Sequence, residues 1–193
     1  MQPRALVVSA LLVLPGSLLA QDTSTPFRAG QWAAQFTGGF SFASLGVLKF
    51  RSATTALLLD LRVSGGHHED FASDTLYGIT SQASINLRLG RRVYGAVADK
   101  VVAQHSLGFQ AGFNHFVVAS PPSGTSTSNG WVAGPFVELG GVYLITPHFG
   151  IGATGTAAIT YSRAKGRSFS GTKTSSWSLD GNTGISFAAT LFF

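Results

Sequence analysis

Seven charged residues lie in segments of this 193-residue chain where apolar residues alternate with polar or small ones. Alternation sends successive side chains to opposite faces of a strand, and it predicts that these seven share the face away from the apolar residues. Charges confined in a narrow interior are costly unless they pair. We therefore expect a structural salt-bridge network, with pairing among Glu138, Asp60, Arg62 and Arg88. The alternative is a small gated pore or a ligand site. The seven are Lys49, Arg51, Asp60, Arg62, Arg88, Glu138 and Asp180.

A basic segment near the C-terminus favours contact with phosphate. Arg163, Lys165, Arg167 and Lys173 supply four cations, and no acidic residue lies between them. Arginine and lysine form charge-assisted hydrogen bonds with phosphate oxygens. We predict that this segment is a loop that contacts lipid phosphates. The alternative is a solvated, flexible loop.

A cluster of possible metal ligands occurs at His67, His68, Glu69 and Asp70. Adjacent ligands on a mobile loop seldom close a coordination sphere, and no further histidine has a helpful spacing. We predict a polar loop here, with no metal site and no cofactor.

Enzyme chemistry has two candidate centres, the pair His105 and Ser106, and His115. Acyl-transfer chemistry needs a histidine, a serine and a carboxylate gathered together. Strand alternation places His105 at the end of its strand that lies far from Glu69 and Asp70, and it turns His115 outward. We therefore predict that the protein is not an enzyme.

The elements that must position these residues are strands. Over residues 177–193 every second residue is uncharged and most are apolar, ending at Phe193. A strand this long with one uncharged face needs an apolar medium on that face, and a bilayer supplies one. Similar alternation predicts seven further strands, at 31–42, 45–52, 55–65, 76–89, 105–118, 130–144 and 148–162. In the second of these, Leu48 and Phe50 are expected to face out, with Lys49 and Arg51 facing in.

The sequence thus predicts an all-β fold, an eight-stranded antiparallel up-and-down transmembrane β-barrel. Long outer loops are expected at 65–74, 121–129 and 163–174, and an unusually long periplasmic turn at 91–104. The outward aromatic residues then fall into two girdles, as expected at membrane interfaces. The periplasmic girdle is Trp32, Tyr143, Phe149 and Phe193, and the outer girdle is Tyr77, Trp131, Tyr161 and Trp177.

The N-terminus and the composition indicate an exported protein. Residues 1–20 have a basic start, an apolar run and a small residue before the predicted cleavage point, as in a secretory signal peptide. We assign 21–30 to a short periplasmic leader and 31–193 to the barrel. Charged residues make up only 11% and cysteine is absent, whereas soluble proteins have about 25% charged residues. The pI near 10 could suggest nucleic acid, but export argues against it.

Residues 31–193 resemble the small eight-stranded outer-membrane barrels, the group with OmpX-, OmpW- and OmpA-type membrane domains. The resemblance rests on the strand count, the girdles and the closing strand, whose residues Ile185, Phe187, Leu191 and Phe193 are similar to an assembly signal. It implies export through the Sec pathway to the outer membrane of a Gram-negative bacterium. The implied partners are the barrel-assembly machinery, periplasmic chaperones and outer-membrane lipids including lipopolysaccharide, and we expect a monomer.

The function implied is that of a non-enzymatic outer-membrane barrel with a structural or surface-interaction role. Three alternatives stay open: a narrow pore for small solutes, a barrel enzyme that modifies lipid A or phospholipid, and a soluble ligand-binding barrel of lipocalin type. The last would have an apolar interior and a polar exterior, whereas the strand charges here follow the opposite face.

Overall fold

The computed structural model of the chain describes residues 26–72, 75–120 and 124–193, without the side chains of residues 71, 72 and 75–77. The predicted signal peptide and the leader up to residue 25 lie outside these residues. In the described part of the chain, no helix has the length and apolar character needed to cross a membrane.

Eight antiparallel strands close into one barrel in sequence order, which confirms the predicted fold class. Their bounds are β1 (Trp32–Gly38), β2 (Phe42–Phe50), β3 (Thr55–Ala72), β4 (Thr75–Ala98), β5 (Val101–Ser120), β6 (Gly124–Thr146), β7 (Phe149–Arg167) and β8 (Lys173–Phe192).

The register fixes the tilt of the strands. The cross-strand partners, followed once around the barrel, are Phe187, Gly38, Ala43, Val63, Ile85, Phe113, Trp131, Arg163 and Trp177. This path returns to β8 ten residues from where it started. Over eight strands, that stagger corresponds to a tilt of about 40° from the barrel axis.

Strands β3 to β8 are longer than alternation alone predicted, whereas β1 ends at Gly38 and is shorter than the predicted 31–42. The predicted loop at 65–74 continues β3 and β4, and the basic segment continues β7 as far as Arg167. The expected long turn at 91–104 consists of strand on both sides of Asp99 and Lys100. The reason is that backbone pairing continues where side chains on both faces are polar, so the apolar alternation ends before the strand does.

One strand was assigned to the wrong faces. Leu48 and Phe50 are 0% and 1% exposed and point inward, whereas Lys49 lies over the outward ring of Trp32, 4.7 Å from its centre. Arg51 is exposed just beyond the end of β2. The inward assignment of Lys49 and Arg51 is therefore wrong. Apolar residues belong inside at this end of the barrel because aromatic rings fill the interior there.

The first hairpin is too short to complete the wall on the outer side. β1 and β2 meet at Gly38 and Phe42, whereas β3 and β8 continue beyond them. In the part of the chain that the structure describes, no Cα atom of β3 lies within 8 Å of one of β8. The outer part of the wall therefore has a gap between β3 and β8, which we call the notch.

Candidate functional site

The barrel interior contains a row of paired charges. Arg88 on β4 contacts Asp60 on β3, with 3.3 Å between Nη1 and Oδ2, and Glu138 on β6, with 2.5 Å between Nη2 and Oε1. The second carboxylate oxygen of Glu138 accepts from Nη2 of Arg92 at 2.9 Å. All four side chains are at least 94% buried. Two acids and two arginines thus form one chain of contacts across the interior.

Neutral groups supply further hydrogen bonds to this chain, whereas Nε of Arg88 is buried with no partner among the described residues. Arg92 also donates to the amide oxygen of Gln35 at 2.6 Å and to the hydroxyl of Ser106 at 2.9 Å. Thr156 donates to Glu138 at 3.3 Å. Satisfied partners of this kind are what make buried charges tolerable. The space left among these residues is about 10 Å³, room for about one water molecule.

A ring from β6 supports Arg88. The guanidinium carbon of Arg88 lies 4.0 Å from the centre of the Phe136 ring. Gly90 and Gly108 face this ring, and a Cβ atom on Gly108 would overlap both the ring and the backbone of Leu89. The two glycines therefore leave the room that lets Phe136 lie under the arginine.

Aromatic side chains occupy the interior at the end where β1 begins and β8 ends, which is the predicted periplasmic end. The ring of Phe27 lies 4.7 Å from Phe50, 4.9 Å from Tyr94 and 5.0 Å from Phe192, measured between ring centres. All four residues are at most 3% exposed. We call this group the aromatic plug. Phe27 precedes the first strand, so the predicted leader contributes directly to the packing of the interior.

Besides Lys49 and Arg51, two more of the residues expected in the network lie apart from it. Arg62 stacks on Phe42, 3.8 Å from guanidinium carbon to ring centre, and makes no ion pair with a described residue. Asp180 is exposed, and its carboxylate accepts from the hydroxyl of Ser178 at 2.5 Å. The expected pairing of Arg62 with the acids is therefore wrong.

Sequence reasoning missed Arg92 and three of the plug residues. Arg92 and Tyr94 fall in the segment that was assigned to a turn, and Phe27 falls in the leader. A signal for Arg92 does exist. Arg92 is the partner of Ser106, and Ser106 is the partner of Glu138, so the register places the arginine and the acid in one row.

Aromatic residues also mark the two ends of the outer surface. Tyr161 lies 5.3 Å from Trp131 and 6.5 Å from Trp177 between ring centres. Trp32 and Tyr143 are exposed at the other end, as is Phe193, whereas Phe149 is half-buried. The side chain of Tyr77 lies outside the described part of the structure. Along β7, Phe149 and Tyr161 are separated by about 30 Å parallel to the barrel axis at the tilt given above.

The basic residues lie on strands and not on a loop. Arg163, Lys165 and Arg167 belong to β7, and Lys173 is the first residue of β8 and the partner of Arg167. All four are exposed. Outward Tyr161 fixes the alternation on β7, so the three residues of β7 also point outward.

The histidines do not gather into a catalytic or metal centre. His67 contacts Glu69 at 3.2 Å and His68 contacts Asp70 at 3.0 Å, each as a separate exposed pair. His105 is exposed on the outer surface, whereas Ser106 is buried against Arg92. Nδ1 of His115 lies 2.5 Å from the Asn129 amide oxygen. Within the described ranges, no three residues among His, Asp and Glu are grouped to hold a metal ion.

The closing strand presents its apolar residues outward. Ile185 and Phe187 are each 62% exposed, and Leu191 is 46% exposed. Their recognition as an assembly signal stays a prediction.

No family model matches the chain, and no curated protein sequence matches it. Solved structures of outer-membrane proteins are similar to it, and two of them are described here. A major outer membrane protein from Thermus thermophilus is 12% identical with a TM-score of 0.58, and the match covers 84% of this chain and 98% of that one. The outer membrane protein OprG from Pseudomonas aeruginosa is 13% identical with a TM-score of 0.56, covering 86% and 97%. The chain therefore has the fold of the small outer-membrane β-barrels, which confirms the resemblance drawn from its sequence.

Proposed function

We propose that this protein is an integral outer-membrane barrel with a closed interior, whose role is structural or in surface interaction. The observation that carries the proposal is the chain of paired charges from Asp60 to Arg92, which leaves only about 10 Å³ free at its level. A barrel closed in this way offers its loops and its outer surface to partners, but no continuous water path.

The outer surface supports insertion in a bilayer. Leu57, Leu59 and Leu61 are 42%, 45% and 44% exposed, although a soluble protein would bury such a row. The aromatic residues bound this apolar band at both ends, and the separation of about 30 Å matches a hydrocarbon core. The two similar structures described above are of outer-membrane proteins, and the predicted signal peptide supports export through the Sec pathway to that membrane in a Gram-negative cell.

Two barriers in series support a closed interior. An ion that enters from the periplasm meets the aromatic plug, where Phe27 is 3% exposed. Beyond it, the ion meets Arg92 and Glu138, whose polar atoms already bond to one another. Passage would require removal of an ion from water and rupture of a buried ion pair, each of which costs several kcal/mol.

The placement of the histidines supports a non-enzymatic role. His105 and Ser106 point to opposite faces of β5, so they cannot act on one substrate atom. His115 contacts an amide and not a carboxylate, so it lacks the group that would orient it as a general base.

The test is conductance of the refolded protein in planar lipid bilayers. We expect no steady open-channel current from the wild type. The variant Phe27→Ala/Arg92→Ala removes a part of each barrier and should conduct, whereas Phe36→Ala on the outer surface should not. Proteolysis of each refolded sample in vesicles shows whether the barrel has formed. Stable, single-size current steps from the wild type would overturn the closed interior and favour the narrow pore.

A further inference from the structure

Four exposed cations form a column on the outward surface of β7 and β8, beyond the aromatic residues Trp131, Tyr161 and Trp177. We call these four cations the basic column. Arg163, Lys165 and Arg167 follow one another at alternate positions of β7, and Lys173 lies across from the last of them. None of the four makes an ion pair within the described residues. Four exposed cations repel one another, so a nearby anion would relieve the repulsion.

The column begins at the level of the outer aromatic residues. Arg163 is the cross-strand partner of Trp131 on one side and of Trp177 on the other. Indole rings favour the interface between hydrocarbon and headgroups. Arg163 and Lys165 are therefore placed at the depth of lipid phosphates, with Arg167 and Lys173 further out.

An apolar groove lies on the same tilted strands, further from their outer ends than the column. It has a volume of about 560 Å³, and small residues such as Gly155, Ala157 and Thr183 form its floor, with Leu139 and Ile185 at its sides. The groove continues outward past Gly181, where a Cβ atom would have nothing within 4 Å. Ala157 and Arg163 are about 20 Å apart along β7, so an acyl chain that follows the tilted strand from a phosphate held by Arg163 would enter the groove.

We infer that the outer surface of β6, β7 and β8 binds one anionic, phosphate-bearing lipid of the outer leaflet. Arg163 and Lys165 hold its phosphate, and the groove holds one of its acyl chains. The inference rests on the proposed function, because it requires a barrel that spans the membrane. The occupant is a lipid and not free phosphate, because the groove would remain exposed if only the cations were filled.

The chain supplies its own reporters for a test. It has three tryptophans, of which Trp131 and Trp177 flank Arg163 and Trp32 lies at the other end. The variant Trp32→Phe therefore reports only on the proposed site. We would refold it into vesicles of phosphatidylcholine mixed with phosphatidylglycerol. In one set of vesicles the acyl chains of phosphatidylcholine are brominated, and in the other set those of phosphatidylglycerol are. Bromine quenches a tryptophan that it touches, so the two quenching curves give the preference for the anionic lipid.

We expect a preference for phosphatidylglycerol of about fivefold for each cation that contacts the phosphate. The variant Arg163→Gln/Lys165→Gln should reduce the preference to near unity. Its matched control, Arg51→Gln/Lys100→Gln, removes the same charge at the periplasmic end and should leave the preference unchanged. Gly181→Leu extends into the groove and should weaken quenching by both brominated lipids. Added inorganic phosphate should not lower the preference beyond the effect of sodium chloride at equal ionic strength.

Equal quenching by both lipids in the variant with the basic column intact would overturn the inference. So would a control in which Arg51→Gln/Lys100→Gln lowers the preference for phosphatidylglycerol as much as Arg163→Gln/Lys165→Gln does. Competition by inorganic phosphate alone would show an anion site with no lipid and would also overturn it. Insertion is measured separately in the same samples by protection of the barrel from proteolysis. A protein that inserts without lipid preference refutes only this inference, whereas one that does not insert refutes the proposed function.

Discussion

Glu138 is the residue on which the interior network most depends. Its two oxygens contact different arginines, Arg88 at 2.5 Å and Arg92 at 2.9 Å. In Glu138→Gln, Arg88 keeps Asp60 as a charged partner at 3.3 Å, but Arg92 loses its one charged partner among the described residues and keeps neutral ones such as Gln35 and Ser106. Removal of one member of a buried ion pair costs about 3–5 kcal/mol. We expect Glu138→Gln to lower the free energy of unfolding by that amount, mainly through the uncompensated charge of Arg92.

A double-mutant cycle separates this pairing from a general loss of packing. Arg92→Gln alone should also destabilise the barrel, because it leaves Glu138 with only one arginine. The double variant Glu138→Gln/Arg92→Gln leaves Arg88 paired with Asp60 and removes both members of the other pair. It should therefore be more stable than the sum of the single losses implies, with a coupling energy of about 1.5–3 kcal/mol.

The measurement is urea-induced unfolding of protein refolded into lipid vesicles, followed by tryptophan fluorescence in both directions. Asp180→Asn is the matched control, because Asp180 is an acid of the same barrel but is exposed and outside the network. Asp180→Asn should lower the free energy of unfolding by no more than about 0.5 kcal/mol. A coupling energy below about 0.5 kcal/mol would refute the view that Glu138 and Arg92 act as a pair. If Asp180→Asn and Glu138→Gln lowered the free energy of unfolding equally, burial of the acid would not determine how much its removal destabilises the barrel.

Three further predictions test other parts of the barrel. Phe27→Ala should lower the free energy of unfolding by about 3–5 kcal/mol, because the buried ring leaves a cavity in the aromatic plug; urea unfolding that is unchanged would place Phe27 outside the interior. Leu48→Lys should prevent refolding or lower the free energy of unfolding by more than about 4 kcal/mol. Lys49→Leu should change the free energy of unfolding by only about 1 kcal/mol. If Lys49→Leu were instead the more damaging variant, Lys49 would face inward and Leu48 outward. In hydrogen exchange, the amide of Thr183, which faces the notch, should exchange at least about tenfold faster than that of Asn182, which faces β7; equal rates would indicate that the wall is closed there.

The faces of most strands could be predicted from alternation because the two environments differ most at mid-membrane. On β8, Ile185 and Phe187 are exposed while Ser186 is buried, as the closing pattern indicated. There a side chain meets either hydrocarbon or a polar interior, and each residue type suits one of them. The strand count and the order of the strands follow from this rule alone.

The same rule fails at the ends of the barrel, where inside and outside no longer differ in that way. Phe50 is buried because it packs on Phe27 and Tyr94, and Lys49 can point outward because the interface with water is near. An apolar residue in β2 therefore suits both faces. Nothing in the sequence of β2 alone distinguishes them, because the deciding contacts come from the leader and from β4.

Arg91 and Arg92 show what the residue type leaves undetermined. The two neighbours are chemically identical, yet Arg91 is exposed on the outer surface and Arg92 is 3% exposed inside. Strand geometry requires opposite faces for them, and the pairing of Arg92 with Ser106, and of Ser106 with Glu138, places Arg92 inside. The interior site is therefore a property of the register. A shift of one residue between β4 and β5 would bring Arg91 into the row of Ser106 and Glu138 and turn the β4 leucines inward. Because that shift would place Arg92 in lipid and leucines beside Glu138, the ion pairs help to select the register as well as to fill the space that it creates.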